Sequence, residues 1–535
     1  MAISATLRGI AVVTAVALVA GCSSVNPSPT ATPTRGPTEE PTATPSPTPP
    51  PATPFPLAVV TGLTNLKATI TLDELSGLAA QGTLVMPCGV TIAQPQLAPD
   101  TSCTPPDKIA AALRAHQKGV ALLPPGLVEP ATKVLSIAGA GPFGLFGADA
   151  FGDPAARALP YPIVGLAENA ASLAPDWTSY DASQVWTLTE LGSLCADRAG
   201  AKQAVILGKG WDWIFDGGTA KYTRKPFLDP TPAPGITAHL IVEPVSTGNA
   251  GVLAKVVQRA DVTLGNMKCP ILPTKSWKPA TGSSVNLSVP EDVLPRWHDF
   301  FGIDAVYLPA DHQGDKGLTG IRSSLRLIDK YGFPRTGLGM NLDEALEPAY
   351  LQVGGIKVAF VAWNEVPGPP HADSDTAGVA WLTKANVDSA VKRARKGGAD
   401  LVVCDPQWWG GSEYHPDIRN SQKTALGWMD AAGCDQVLAG GLHVSGGVFL
   451  RQQGGGVSLV DAGPGNFLFG QDWWQDTQEG VLVELSFVGT TLVNVRLHPY
   501  VMIASARPSL LDPERDGHYV LQRIWKSSDL DYLGS

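Results

Sequence analysis

A chain of 535 residues, 44% hydrophobic and 16% charged, is long enough for two or three domains with proper cores. Its net charge of −10, with no basic cluster or basic helix face, argues against nucleic acid as a partner. Beyond the N-terminal leader, no apolar run reaches the roughly 20 residues needed to cross a bilayer.

The chain opens with Arg8 as a positive n-region and an apolar stretch from Ile10 to Val19, too short for a membrane span. Val19-Ala20-Gly21-Cys22 then resembles the lipobox of bacterial lipoproteins. That resemblance implies a signal peptide over 1–21, cut before Cys22, whose thiol takes a diacylglycerol. The protein is thus expected on the extracytoplasmic face of the cell membrane, lipid-anchored. Residues 22–56 continue as a linker dominated by Pro, Thr, Ser and Ala, with no hydrophobic cluster to offset the entropy of ordering. At roughly 3 Å per residue in extended polyproline II, it reaches up to about 90 Å.

Lipidation of Cys22 leaves six of the seven cysteines, an even number in a compartment that permits disulfides. Cys88 and Cys103 flank a Pro-rich loop and form the expected bridge. Cys195, Cys269, Cys404 and Cys434 stay ambiguous. Cys404 ends the apolar run Leu401-Val402-Val403, a setting that more often holds a buried thiol than a bonded one. No CxxC pair is present, which argues against a thiolate zinc site.

Residues 57–230 alternate strand-like and helix-like segments. Thr71-Leu72-Asp73-Glu74 has capping-box spacing and opens a helix that stops near Gly82. A second helix runs from Pro105 to Lys118, followed by strands at Val120–Leu123 and Lys133–Ile137. This region is either a generic α/β accessory domain or similar to a lobe of an extracytoplasmic solute-binding protein. From 236 to 500 the alternation sharpens. Strands are expected at 239–242, 305–308, 357–362, 401–404, 436–438 and 457–460, with helices at 323–331, 386–396 and 420–432 between them. Such a pattern predicts a sheet with helices outside it and functional residues on the strand-end loops. Residues 501–535 read as an extension packed on this domain.

The loop motifs from 260 to 469 carry a family resemblance. Ala260-Asp261-Val262-Thr263-Leu264-Gly265-Asn266-Met267-Lys268-Cys269-Pro270 stands where that family has an Ala-Asp…Asn-Leu-Glu-x-Pro motif. Pro309-Ala310-Asp311-His312 stands for Ala-Asn-Asn-His, and Trp408-Trp409-Gly410-Gly411-Ser412-Glu413-Tyr414 for His-Trp-Gly-x-Glu-Tyr. Gly440-Gly441-Leu442-His443-Val444 and Gly465-Asn466-Phe467 complete the series. In this order the motifs resemble the bacterial capsule-synthesis CapA family, associated with poly-γ-glutamate capsules. The resemblance implies a layered α/β sandwich akin to metallophosphoesterases, preceded here by the smaller α/β region.

It also implies a centre where carboxylate, Asn and His side chains hold divalent cations. Here the ligands are eroded. The first motif loop reads Val242-Glu243-Pro244-Val245, the second carries Lys268 for Glu, and Gly441 stands for the first His of the later pair. An ammonium beside a divalent ion is costly, so Lys268 is expected to occupy the vacated cation position and pair with Asp311 or Glu413. On this reading no metal or other cofactor is present, with a remodelled divalent-metal site as the alternative. Asp311, His312, His443 and Glu413 are the candidate catalytic residues. Asp311 either orients His312 or caps the next turn. Lys268, Asn266, Tyr414 and Asn466 line the candidate ligand site, and the pairs Trp408-Trp409 and Trp473-Trp474 offer flat faces for sugar rings or an extended polymer. The expected partners are a capsule or envelope polymer, membrane polymer-synthesis subunits, and the membrane itself through the lipid.

Overall fold

The computed structural model describes residues 54–98, 103–116, 118–138, 163–167, 181–223, 243–281, 284–453, 456–472 and 474–530. The leader, Cys22, nearly all of the linker, the segment 239–242 and Trp473 lie outside the described residues.

The first folded segment is a small α/β region. Ala58–Gly62 pairs antiparallel with both Val120–Leu123 and Thr132–Val134, and Leu84–Val85 adds in parallel at the edge. Leu72–Ala80 is a helix opened by the expected reciprocal cap: the Glu74 amide donates to Thr71 Oγ1 at 3.1 Å, and the Thr71 amide to Glu74 Oε2 at 2.8 Å. The chain leaves that helix through Gly82, whose φ of +66° favours glycine. Cys88 and Cys103 are bridged, as expected.

A ten-stranded sheet forms the next layer. At its centre Val185–Cys195 runs antiparallel to Glu479–Val488 on one side and parallel to Val262–Met267 on the other. Ala305–Tyr307 and Arg335–Thr336 extend the parallel half. Thr491–Ile503, Arg507–Leu511, Thr219–Tyr222 and Pro244–Gly248 extend the other half to its edge. A boundary at residue 230 therefore cuts through this sheet, because Val185–Cys195 and Thr219–Tyr222 are built into it. The stretch beyond 500 is also integral, supplying the strand Arg507–Leu511 and the helix Gly517–Lys526. All eleven residues of Val185–Cys195 are buried. Such a strand has no polar face to mark it, and Glu190 in its middle masks it further.

The second sheet has six strands in the order Ala349–Val353, Ile356–Asn364, Leu401–Gln407, Gln436–Leu438, Gly456–Asp461, Val448–Gln453. The two sheets share one apolar interior, where Leu188, Leu264 and Leu485 meet Phe360, Val403 and Leu459. Helices 293–301 and 317–330 cover the outer side of the first sheet, and helices 384–396 and 420–432 that of the second. The result is the layered α/β sandwich expected. The predicted helices at 386–396 and 420–432 are found at Lys384–Lys396 and Asn420–Ala432, and the one at 323–331 begins earlier, at Gly317. Cys195 is bridged to Cys269 and Cys404 to Cys434, so the preference for a buried thiol at Cys404 is corrected. Its partner Cys434 follows the end of the helix Asn420–Ala432, a proximity no local pattern encodes.

Candidate functional site

Parallel strands end on one side of each sheet, and their following loops converge there. The strand Val262–Met267 alternates its side chains, so Asn266 and Lys268 leave it on the same face. The next parallel strand runs into a single tight turn, Asp311–Gly314, which presents Asp311 and His312. Glu413 and Tyr414 come from the loop after Leu401–Gln407, His443 from the loop after Gln436–Leu438, and Asn466 opens the strand Asn466–Phe469.

Lys268 is the centre of this convergence. Its side chain is fully buried, and Nζ lies 2.6 Å from Glu413 Oε1, 3.1 Å from Asp311 Oδ1 and 3.1 Å from the Gly441 carbonyl oxygen. The sequence left the carboxylate open between Asp311 and Glu413; the ammonium engages both. Burial by itself would lower the Lys268 pKa, but the two carboxylates overcome it and raise it. Burial likewise opposes ionisation of Asp311, yet Lys268 and the neighbouring histidines hold that carboxyl below its usual range. At Glu413 burial outweighs the ammonium, and the pKa is raised.

The two histidines differ. His312 Nδ1 is 2.7 Å from Asp315 Oδ2, and its Nε2 is 3.4 Å from Asp311 Oδ2. Burial would lower its pKa, but Asp315 and Asp311 raise it. Asp315, not Asp311, therefore orients His312, and Asp311 makes no helix-capping bond. His443 is enclosed, with Nδ1 2.8 Å from Asn466 Oδ1 and the Tyr414 ring stacked on it at 5.2 Å. Burial first, then Lys268, holds His443 well below the ordinary imidazole range. Asn466 donates onward to Gln471 Oε1 at 3.2 Å, and Gln471 Nε2 donates to the Tyr414 hydroxyl at 3.1 Å. Asn266 is buried against Gly440, with neither amide atom hydrogen-bonded.

Several residues of this site were not foreseen. The ring of Phe469 lies beneath four polar groups, with His443 at 4.8 Å, His312 at 5.7 Å, Arg198 at 5.8 Å and Lys268 at 6.0 Å. Arg198 holds a φ of +47°, uncommon for a residue with a side chain, and its Nε donates to the Ser284 carbonyl at 3.2 Å. The positive φ leaves no trace in sequence, but an arginine following a buried strand end is a signal that was there to be weighed.

Three expectations fail. The described part of the predicted loop, Glu243–Val245, is not a site loop: Glu243 is exposed, and Pro244–Gly248 is the outer edge of the ten-stranded sheet. The loop that adjoins Lys268 instead follows Val185–Cys195, where the Lys268 amide donates to the Leu194 carbonyl and Cys195 is bridged to Cys269. Ser193 stands there, in register with both Asn266 and Asn466. Trp408 is 0% exposed and packs between the second sheet and its helices, so it offers no platform. Trp474 is buried too; of the four tryptophans only Trp409 is described and partly exposed. Each buried indole gains more from the core than the cleft mouth would supply.

A second polar group lies between the sheets. Glu190, Asp405 and Asp461 are all buried, and Tyr307 faces them. Neither oxygen of Glu190 has a hydrogen-bond partner. Burial, reinforced for Glu190 by the other two, pushes all three pKa values well above the usual carboxylate range.

A two-sheet α/β sandwich whose strand-end loops gather buried Lys, Asp, Glu, His and Asn defines a loop-built polar centre on a rigid scaffold. Residues 242–471 match the family described as bacterial capsule synthesis protein PGA_cap. Over 254 residues the chain is 26% identical to the capsule biosynthesis protein CapA of Bacillus anthracis, a match that covers 45% of this chain and 58% of that protein. Among solved structures, a hypothetical protein from Thermus thermophilus is 16% identical with a TM-score of 0.30, over 47% of this chain and 92% of that one. The 5'-nucleotidase precursor of Thermus thermophilus is 13% identical with a TM-score of 0.34, over 63% and 58%. The NAD nucleotidase of Haemophilus influenzae is 11% identical with a TM-score of 0.33, over 65% and 57%. These structural likenesses are too distant to carry an argument.

Proposed function

We propose that the protein is a lipid-anchored, extracytoplasmic capsule-synthesis protein that handles an anionic envelope polymer of the poly-γ-glutamate type, with an ammonium where a metal ion would otherwise stand. The observation that carries this is Lys268 Nζ, 2.6 Å from Glu413 and 3.1 Å from Asp311. A divalent ion among the same carboxylates would meet a fixed positive charge at contact distance, a repulsion that burial strengthens. Gly441 supplies no ligand either. A Cβ there would lie 2.6 Å from the backbone of Trp408, and the φ of +88° disfavours any side chain. The residues present do not fit a divalent ion, so no step is assigned to one.

What this pocket offers is recognition. Lys268 offsets the charge of Asp311, and burial, which raises the Glu413 pKa, lessens the second carboxylate's repulsion of a polyanion. His312, with its raised pKa, and the partly exposed Arg198 present positive donors at the rim. The chain's net charge of −10 opposes a polyanion at long range, so binding rests on this local cluster.

The test pairs elemental analysis of the purified full chain with calorimetry against oligo-γ-glutamate. We expect less than about 0.1 divalent metal per chain after dialysis and saturable binding that Arg198→Ala weakens. One Mn, Fe or Zn per chain would overturn the ammonium reading. Absence of binding to oligo-γ-glutamate would overturn the polymer.

A further inference from the structure

Away from the Lys268 cluster, a cleft of about 1030 Å³ lies between the small α/β region and the C-terminal helix Gly517–Lys526. Its walls come from opposite ends of the chain: residues 64–81 and 118–120 on one side, 514–526 on the other. Its volume is at the upper end for a small-molecule site. We propose that this cleft is a second binding site, for a short acidic oligosaccharide.

The side chains that line it specify that chemistry. Trp525 packs on the inter-sheet core and also borders the cleft, giving a rigid aromatic edge beside Ile70 and Leu78. Sugar rings carry apolar C–H faces that aromatic surfaces hold, and hydroxyls that amides bond. Gln81 and Gln522 supply amides whose side chains bond to no other described residue. The charges are divided. Lys67 is paired with Glu74 at 3.2 Å, whereas Lys118 and Lys526 have no carboxylate partner among the described residues. Those two ammoniums, with Glu514 the remaining acid in the lining, leave an excess of positive charge suited to carboxylates spaced along a sugar chain.

The helix Leu72–Ala80 provides the test. Gly77 lies on the cleft wall, and a Cβ there would meet nothing within 4 Å. A side chain can therefore be added at this position of the cleft wall without a clash at its Cβ, and leaving glycine favours the helix.

Calorimetry on the full chain with tetragalacturonate, maltotetraose and oligo-γ-glutamate decides the matter. Tetragalacturonate is expected to bind one per chain and maltotetraose at least tenfold more weakly. Gly77→Trp should abolish binding with the melting temperature retained. Lys118→Glu with Lys526→Glu should weaken it roughly tenfold or more. No binding of tetragalacturonate, or binding unaffected by Gly77→Trp, overturns the site. Equal binding of maltotetraose overturns the acidic class, and stronger binding of oligo-γ-glutamate at this cleft overturns the carbohydrate. The cleft shares no residue with the Lys268 cluster, so either site can fail alone.

Discussion

The ammonium of Lys268 and the carboxylate of Glu413, 145 residues apart, meet at 2.6 Å with side-chain exposures of 0% and 13%. A buried pair of this kind is bound by its geometry: each charge is tolerable only because the other is there.

Removing the lysine should therefore be costly. Lys268→Ala leaves Asp311 and Glu413 facing each other without compensation, and is expected to destabilise the protein by about 3–5 kcal/mol. Lys268→Ala combined with Glu413→Gln should recover part of that loss, since one uncompensated charge is gone. Urea denaturation of the three variants is the measurement, and equal midpoints for wild type and Lys268→Ala would remove the pair from the core.

His312 should give polymer binding a pH dependence. Its pKa is raised, so the imidazolium persists above the ordinary value near 6.5 and is lost as pH rises through the folded value. Affinity for oligo-γ-glutamate should fall over that interval, and Asp315→Asn should move the fall to lower pH. A flat profile between about pH 6 and 9 would exclude His312 from binding.

The inter-sheet acids set a second trend, in stability. Glu190, Asp405 and Asp461 have folded pKa values well above their unfolded ones. The native state thus holds more protons than the unfolded state above about pH 4, and stability falls as pH rises. Glu190→Gln and Asp461→Asn remove the ionisable groups and should raise the melting temperature at about pH 8 while changing little at about pH 5. Thermal scans at both pH values check this.

The Cys404–Cys434 bridge closes 30 residues of sequence between a central strand and the end of a helix. Replacing both by Ala should cost roughly 3 kcal/mol. Alkylation of the non-reduced, denatured protein, followed by mass analysis, should leave Cys404 and Cys434 unlabelled, whereas a free thiol at Cys404 would be labelled.

Periodicity and local motifs made part of the architecture legible. The Thr71–Glu74 cap, the helix from Asn420 to Ala432 and the short strand 436–438 depend on interactions within a few residues, and sequence spacing reports those directly. The family motifs likewise placed Lys268, Asp311, His312, Glu413, His443 and Asn466 on loops that converge, because each loop follows its own strand.

Only the tertiary structure decided which groups meet and which are withdrawn. Val185–Cys195 looked like part of a separate region because a strand buried on both faces has no alternation to mark it. Trp408 looked like a ligand platform because its neighbours carry the motif, yet the indole faces the core. Asp315 displaced Asp311 as the partner of His312 through the pitch of one tight turn. Sequence by itself determined the elements that short-range spacing marks, the motif loops and the charge at position 268. Which carboxylates that charge neutralises is a long-range contact, settled when the two halves of the chain pack.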